Sequence, residues 1–565
     1  MPGLSNPRPI KGAYGIGKVN LKFTPLSEKK KKSYIGFMFF CLMGGLIVFR
    51  YMWSKPGLRY TILTPVLRSI YLQGDYWRCT LGAKFGQGER DTFNYRYTPS
   101  DVTLTNVPGL KGEWARITRD VTTSMLTVSG KSAVDAIFAQ GYAHASERLY
   151  QLDISRRKAS GTLSEVLGQD YLILDRASRT YNFRGLALQD WQRLSTEAET
   201  ESKDKDEARK QVALLTAYAA GINAFLAEKP VLPMEFYVYH GSSWFWWGKS
   251  PEIAEWCPID SLALLRMYYM EGSQGWEHEY LKTLVVEQIG PEAAESLLKA
   301  SSAGKEINQA QLEKEGVTVL PASSGAAWVV PGRGSTKAPL MASDLHSPLT
   351  SYNQWIMNEL RWSQFGSDST PVHLVGSSLP GVPLVLQGRN ELVSWSYATA
   401  AEDTEDLFIE EIVKEVEGGP MLVLAGGEAE RVEERREAIA FPGKGGVLET
   451  EHLVVQETRH GPVISPLISP VFLGLSSPKN FQALPGGGSL RGVTLALSSQ
   501  ALRQPMNVAF MMHLATASGW VDFERACSAL SAASLHVLYA DHRGNTGYAT
   551  TGTPVQRANN KHDAS

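Results

Sequence analysis

The chain has 565 residues, of which 43% are apolar and 20% charged, and a formal net charge of −2. That length gives core enough for two or three domains, and the charge balance offers no basic surface for nucleic acid. The four cysteines, Cys41, Cys79, Cys257 and Cys527, form neither a disulfide framework nor a metal-ligand spacing.

Residues 1–32 are polar, carry scattered proline and glycine, and end in Lys29 to Lys32, which reads as a flexible basic tail. Ser33 to Phe49 then has no charged residue, and Arg50, Tyr51 and Trp53 follow it. A charge-free run between lysines and interfacial aromatics predicts a single transmembrane helix over 33–53. The lysines keep the N-terminus on the cytosolic or matrix side, with the large remainder across the membrane. No Asn-x-Ser/Thr sequon occurs. A lumenal eukaryotic domain of this size is expected to carry some by chance, so their absence points to the mitochondrial inner membrane or to a bacterial protein.

Residues 54–105 read as a connecting region, and helical patterns dominate 106–300. Ser132 and Asp135 form a capping box with Asp in place of Glu, and Phe138, Tyr142, Ala145, Leu149 and Leu152 follow at helical spacing. Arg148, Asp153, Arg156 and Arg157 read as pairing and packing residues. A second helix is predicted over Asp206 to Glu228, with Val212, Leu215, Ala219, Ile222 and Leu226 on one face. Residues 301–322 are polar and read as an uncut surface connection.

From 323 to 565 the pattern is β-rich. Ala326 to Val330 and Ala338 to Ala342 flank Pro331, Gly332 and Gly334, which predicts a hairpin. Val382 to Leu386 and Leu392 to Ala398 read as two strands joined at Gly388-Arg389-Asn390. Thr458 to Val463 marks a strand entry, and Glu428 to Glu437 is a solvated charge run.

Three stretches carry a resemblance. They are Trp328-Val329-Val330 with Pro339-Leu340-Met341 and Asp344-x-His346, the helix GYAHASERLYQLDISRRKASGTLSEVLG (Gly141 to Gly168), and the run from Leu374 to Glu410. In order and spacing they resemble the penicillin acylase (penicillin amidase) family of N-terminal nucleophile hydrolases. The resemblance implies an α+β protein of the four-layer αββα N-terminal nucleophile fold. Residues 106–300 would be its helical small-chain-like region and 323–565 its large-chain-like region.

The family's hairpin opens Gly-Ser-Asn-x-Trp, and the serine is both cleavage point and nucleophile. Counting back from Trp328 puts Gly325 at the serine and Ala326 at the asparagine. A serine hydroxyl needs a base, here its own α-amine, which exists only after the chain is cut. Glycine therefore removes maturation and turnover together. The rival reading slips the match by one residue and makes Ser324 (or Ser323) the nucleophile, at the cost of turning the strand's side chains to the other face. The resemblance further implies an oxyanion hole from the Thr399 N–H and from position 536, where His536 replaces the family's asparagine. His346 matches a histidine of the cephalosporin-acylase branch and reads as structural. Arg557 aligns with an arginine near the family's substrate pocket.

In calcium-binding members, two aspartates at the spacing of Asp403 and Asp406 bind the ion with a small-chain glutamate, which falls on Glu279. The implied Ca²⁺ is structural and clamps the two regions. Family members also continue well past the position of Arg557, while Val508, Phe510, Met511, Val537 and Leu538 stay apolar here. That predicts a second polypeptide completing the C-terminal part of the fold. The leading expectation is a membrane-anchored, catalytically silent homologue serving as a structural subunit of a larger complex. The alternatives are an active amidohydrolase using Ser324, and a binding module for an acylated small molecule.

Overall fold

The computed structural model describes residues 101–553, apart from 237–252, 293–324, 333–337, 346–352, 364–370, 401–403, 415–420, 444–446, 469–493 and shorter gaps within 113–124, 231–234, 273–291 and at 426. All of these belong to one compact unit, Tyr95–Ser565. The predicted transmembrane helix over 33–53 lies outside the described residues. Among those residues, no helix is long and apolar enough to cross a membrane.

Three short strands open the fold: β1 (Asp101–Leu104), β2 (Ala115–Arg119) and β3 (Leu126–Gly130). The first of them falls inside the stretch read as a connecting region. Helix α1 (Ala133–Ser160) starts at a closed capping box. Ser132 Oγ accepts the Asp135 N–H and Asp135 Oδ2 accepts the Ser132 N–H, both at 3.2 Å. Asp153 pairs with Arg156 and Arg157 along this helix, as packing residues do. Helices α2 (Leu172–Tyr181), α3 (Phe183–Glu199), α4 (Lys205–Ala227) and α5 (Pro258–Gly272) complete the helical part.

Helices α1 and α4 pack with their backbones in contact, which only glycine permits. A Cβ on Gly141 would stand 2.1 Å from the Tyr218 carbonyl oxygen, and one on Gly221 would stand 1.8 Å from that of Phe138. Beside this crossing His144 is fully buried. Its Nδ1 lies 2.6 Å from the Tyr218 hydroxyl, which accepts the Gly381 N–H at 2.9 Å. Burial drives the imidazole down to about 3, so the ring stays neutral.

The hairpin strands β4 (Gly325–Val330) and β5 (Leu340–Leu345) are followed by β6 (Ile356–Trp362), β7 (Val372–Ser378), β8 (Gln387–Arg389) and β9 (Val393–Thr399). Next come β10 (Glu405–Lys414), β11 (Leu422–Ala425), β12 (Glu428–Arg431), β13 (Glu433–Pro442), β14 (Leu448–Thr458), β15 (Gly461–Pro462) and β16 (Thr494–Ser499). Helices α6 (Ala509–Thr516) and α7 (Trp520–Ser528) precede β17 (Leu535–Asp541) and β18 (Thr546–Thr550). A nine-stranded sheet runs β1-β2-β3-β6-β7-β8-β9-β17-β18, and smaller sheets take β12-β11-β10-β16, β13-β14-β15 and the hairpin β4-β5.

The register assigns the faces of the large sheet. Tyr397 and Thr399 lie opposite Val537 and Leu535, on the face where Tyr397 bonds Tyr268 of α5 at 3.1 Å. On that face too, the Tyr539 ring packs on Phe523 of α7. Ser394, Ser396, Ala398, His536, Leu538 and Tyr548 point the other way. Gln387 shares that second face, and there Ser343 Oγ of the hairpin donates to it at 2.9 Å. The sheet thus carries helices on one side and the hairpin on the other.

Two sequence readings are corrected. Val382 to Leu386 is not a strand: Pro383 has no N–H to give, Leu384 sits at φ 70°, and its backbone bonds the Gln140 side chain instead of a neighbouring strand. The apolar residues thought to await an outside partner already have one. Val508, Phe510, Met511 and Val537 are at most 2% exposed, and Leu538 is half-buried.

Gly221→Ala is expected to lower stability by about 2–3 kcal/mol, since the helices must part to admit a methyl group; a urea midpoint measures it. His144 generates a pH dependence as well. Its folded pKa is depressed below 6.5, so the unfolded chain binds the extra proton. Its contribution is fully present above the unfolded value and is lost as pH falls from 6.5 toward about 3. A His144→Gln variant should show a shallower loss of urea midpoint across that window.

Candidate functional site

Gly325 is the first residue of β4 and pairs with Leu345, and the register continues without a bulge to Val330↔Leu340. Strand β4 packs against both β9 and β17, and β5 packs against β9. The strands bearing Gly325, Thr399 and His536 are thereby brought together, although more than two hundred positions separate the first from the last. Ser324, His346, Asp403 and Arg557 lie outside the described residues.

Thr399 ends β9 opposite Leu535. The next residue, Ala400, donates its N–H to Ser534 O at 3.1 Å. Backbone groups alternate along an antiparallel strand, so the Thr399 N–H points to the edge away from β17. Beneath this strand Tyr268 and Tyr397 are buried phenols bonded to each other. Burial pushes Tyr268 up to about 12 and holds Tyr397 well above the ordinary phenol value, so both stay neutral.

His536 stands on the hairpin face opposite Ala398. Its Nδ1 lies 2.6 Å from the Tyr548 hydroxyl on β18. With the phenol as donor, the neutral ring keeps its proton on Nε2 and remains a hydrogen-bond donor. The sequence analysis named His536 without this partner. The signal was its strand position: Tyr548 faces Leu538, two residues along from His536 on the same side.

At Gly325 there is no side chain to attack a carbonyl. An added Cβ would stand 3.0 Å from both Asp344 O and Leu345 Cδ2, tighter than ordinary contact. A serine here needs the facing strand to shift by a few tenths of an ångström.

The acidic candidates sit at the start of β10. Glu279 Oε2 accepts the Leu407 N–H at 3.0 Å, one residue from Asp406. Glu405, which the sequence analysis does not single out, is 2% exposed. It accepts Ser499 Oγ at 2.9 Å and the Trp276 N–H at 3.3 Å. Among the described residues no three His, Cys, Asp or Glu side chains group as a metal site, and Asp403 is not one of those residues.

The sequence profile described as penicillin amidase matches residues 114–565, and the chain belongs to that family. It is 26% identical over 418 residues to the acyl-homoserine lactone acylase QuiP of Pseudomonas aeruginosa, which covers 69% of this chain and 45% of that protein. It is 29% identical over 404 residues to the penicillin acylase 2 proenzyme of Pseudomonas sp. strain SE83, covering 67% and 46%. The chain thus spans less than half the length of these two relatives. A solved structure, the thermostable penicillin G acylase from Alcaligenes faecalis, aligns over 41% of this chain and 35% of that one. Its identity is 17% and its TM-score 0.27, which carries no argument.

If a cation bridges Glu279 and the β10 carboxylates, adding EGTA should lower the melting temperature, because a ligand bound only by the folded state stabilises it. Glu279→Gln should abolish the EGTA response. An EGTA-insensitive wild type would mean that these carboxylates hold no calcium.

Proposed function

We propose that this chain is a non-hydrolysing member of the penicillin amidase family that acts as a structural subunit of a larger membrane assembly. The observation that carries this reading is Gly325, which opens β4 in unbroken register where the family resemblance requires the nucleophilic serine. The unbroken pairing supports loss of the nucleophile over a one-residue slip, which needs a bulge or an inverted strand. In this reading the fold is the four-layer αββα arrangement, residues 33–53 anchor the chain in a membrane, and the mitochondrial inner membrane is the favoured location. A structural Ca²⁺ held by Glu279, Asp403 and Asp406 ties the helical region to β10. Hard carboxylate oxygens suit that ion. A second polypeptide extends the large sheet at β18, whose sequence Thr-Gly-Tyr-Ala-Thr carries neither charge nor proline to blunt an edge.

The second reading is an active amidohydrolase that cleaves an acyl–amide bond with Ser324. The similarity to chains named as acyl-homoserine lactone and penicillin acylases favours it. A third reading, a binding module for an acylated small molecule, draws on the surviving donors at Thr399 and His536.

The intact mass of the purified protein separates the first two readings. A single uncut chain is expected; two fragments with a new N-terminus at Ser323 or Ser324 would establish the hydrolase. Gly325→Ser alone is expected to leave hydrolysis of a phenylacetyl chromogenic amide near background. The family's two asparagines are still replaced, by Ala326 and by His536, whose ring is held by Tyr548, and a missing or misplaced oxyanion donor costs about a hundredfold or more. Robust turnover by the single variant would refute the reading that position 536 limits the site.

A further inference from the structure

Far from the hairpin, a half-open cavity of about 290 Å³ lies where the C-terminal end of α1, helix α2, the start of α3, the start of α5 and strand β13 meet. Its polar lining is Arg179, Arg184, Asn182, Ser160, Ser178 and the carboxylate Glu437, and Leu188 adds an apolar flank. We propose that this cavity binds the oxyanion of a small molecule, a carboxylate or a phosphate.

Several independent features support it. Helix α3 has seventeen residues, and its first N–H groups have no partner within the helix. Asn182 precedes it in the left-handed conformation and its side chain makes no cap bond. The helix therefore presents partial positive charge toward a cavity that Asn182, Arg184 and Gly185 all line. Ser178 is 7% exposed, lines the same cavity and has no hydrogen-bond partner among the described residues. An oxyanion in the cavity would offer this hydroxyl an acceptor.

Both guanidiniums keep donors in reserve. Arg179 gives Nη1 to Glu437 at 2.9 Å and Nε to Gly161 O at 3.1 Å. Glu437 is shared with Arg435, so two cations face that one carboxylate. Arg184 pairs with Asp260 through Nη1, while its Nη2 has only the Cys257 sulfur at 3.9 Å. Its side chain is 46% exposed, so Nη2 can reach a ligand while Nη1 stays on the buried Asp260 carboxylate.

Titration calorimetry on the full chain tests this with inorganic phosphate in one arm and hexanoate in the other; hexanamide serves as the uncharged control. One or both anions are expected to bind and the amide not to. Preference for hexanoate would assign the Leu188 flank to an alkyl chain, and preference for phosphate would assign the site to a phosphorylated ligand. Arg184→Gln should weaken binding by about tenfold or more, the scale of one charge-assisted contact. Ser178→Ala, which leaves every ion pair intact, should weaken it measurably with unchanged thermal stability. Binding of neither anion, or binding that both variants leave unchanged, would overturn the proposal. Neither outcome bears on Gly325 or the hairpin.

Discussion

The parallel pairing of β3 with β6 is the constraint on which the rest depends. Leu126 to Gly130 run beside Asn358 to Trp362, so strands more than two hundred residues apart in sequence form the middle of one sheet. Each half alone would bury its apolar face against nothing and expose an edge. A parallel neighbour also demands a long crossover, and here that crossover contains α1 to α5 and the hairpin. Gln140 of α1, fully buried, fastens the seam by bonding the Leu384 N–H, the Leu384 carbonyl, Ser378 and Asn358. A second tie is the buried Arg266–Asp190 pair between α5 and α3. Arg266 also donates to the Gln504 carbonyl, and Asp190 accepts the Met506 N–H. Buried charges on these terms hold elements in one arrangement, because either partner left alone would be an uncompensated ion.

With the seam fixed, the hairpin has a defined place to lie. It rests on the face opposite the helices, where the sheet offers small and polar side chains: Ser394, Ser396, Ala398 and Gln387. An acylase needs such a floor, since a carbonyl carbon must come within reach of a nucleophile and its oxygen within reach of two donors. In the proposed reading this floor is kept while Gly325 stands at the nucleophile position. A fold whose stability rests on β3–β6, Gln140 and the α1–α4 contact has little to lose from that change, because Gly325 takes part in none of them.

The parts legible in the sequence are those encoded locally. Helix α1 was readable because Ser132 and Asp135 close a box four residues long, and α4 because its apolar residues repeat at helical spacing. The hairpin was readable from a Gly/Pro turn between two apolar runs. The failures are non-local. Val382 to Leu386 looks like a strand because Val, Leu and Val suit one, yet a glutamine from α1 takes its backbone bonds, and nothing near position 384 announces that. Val508 to Met511 look like orphans when counted against a longer family, but folding tucks them into this chain's own core. Glu405 looks like one more surface acid until Ser499 and Trp276 are seen to close over it.

The same distinction separates the two regions of chemical interest. The hairpin site is a matter of residue identity: in the proposed reading a glycine stands where the family resemblance, counted from Trp328, places the serine. The oxyanion cavity is a matter of assembly. Arg179, Arg184 and Ser178 come from two consecutive helices, but Glu437, which holds Arg179 in place, comes from a strand far along the chain. No spacing in the sequence encodes that cavity. It exists because β13 docks on α2, so whatever binds there also reports whether the helical region and the three-stranded sheet are correctly joined.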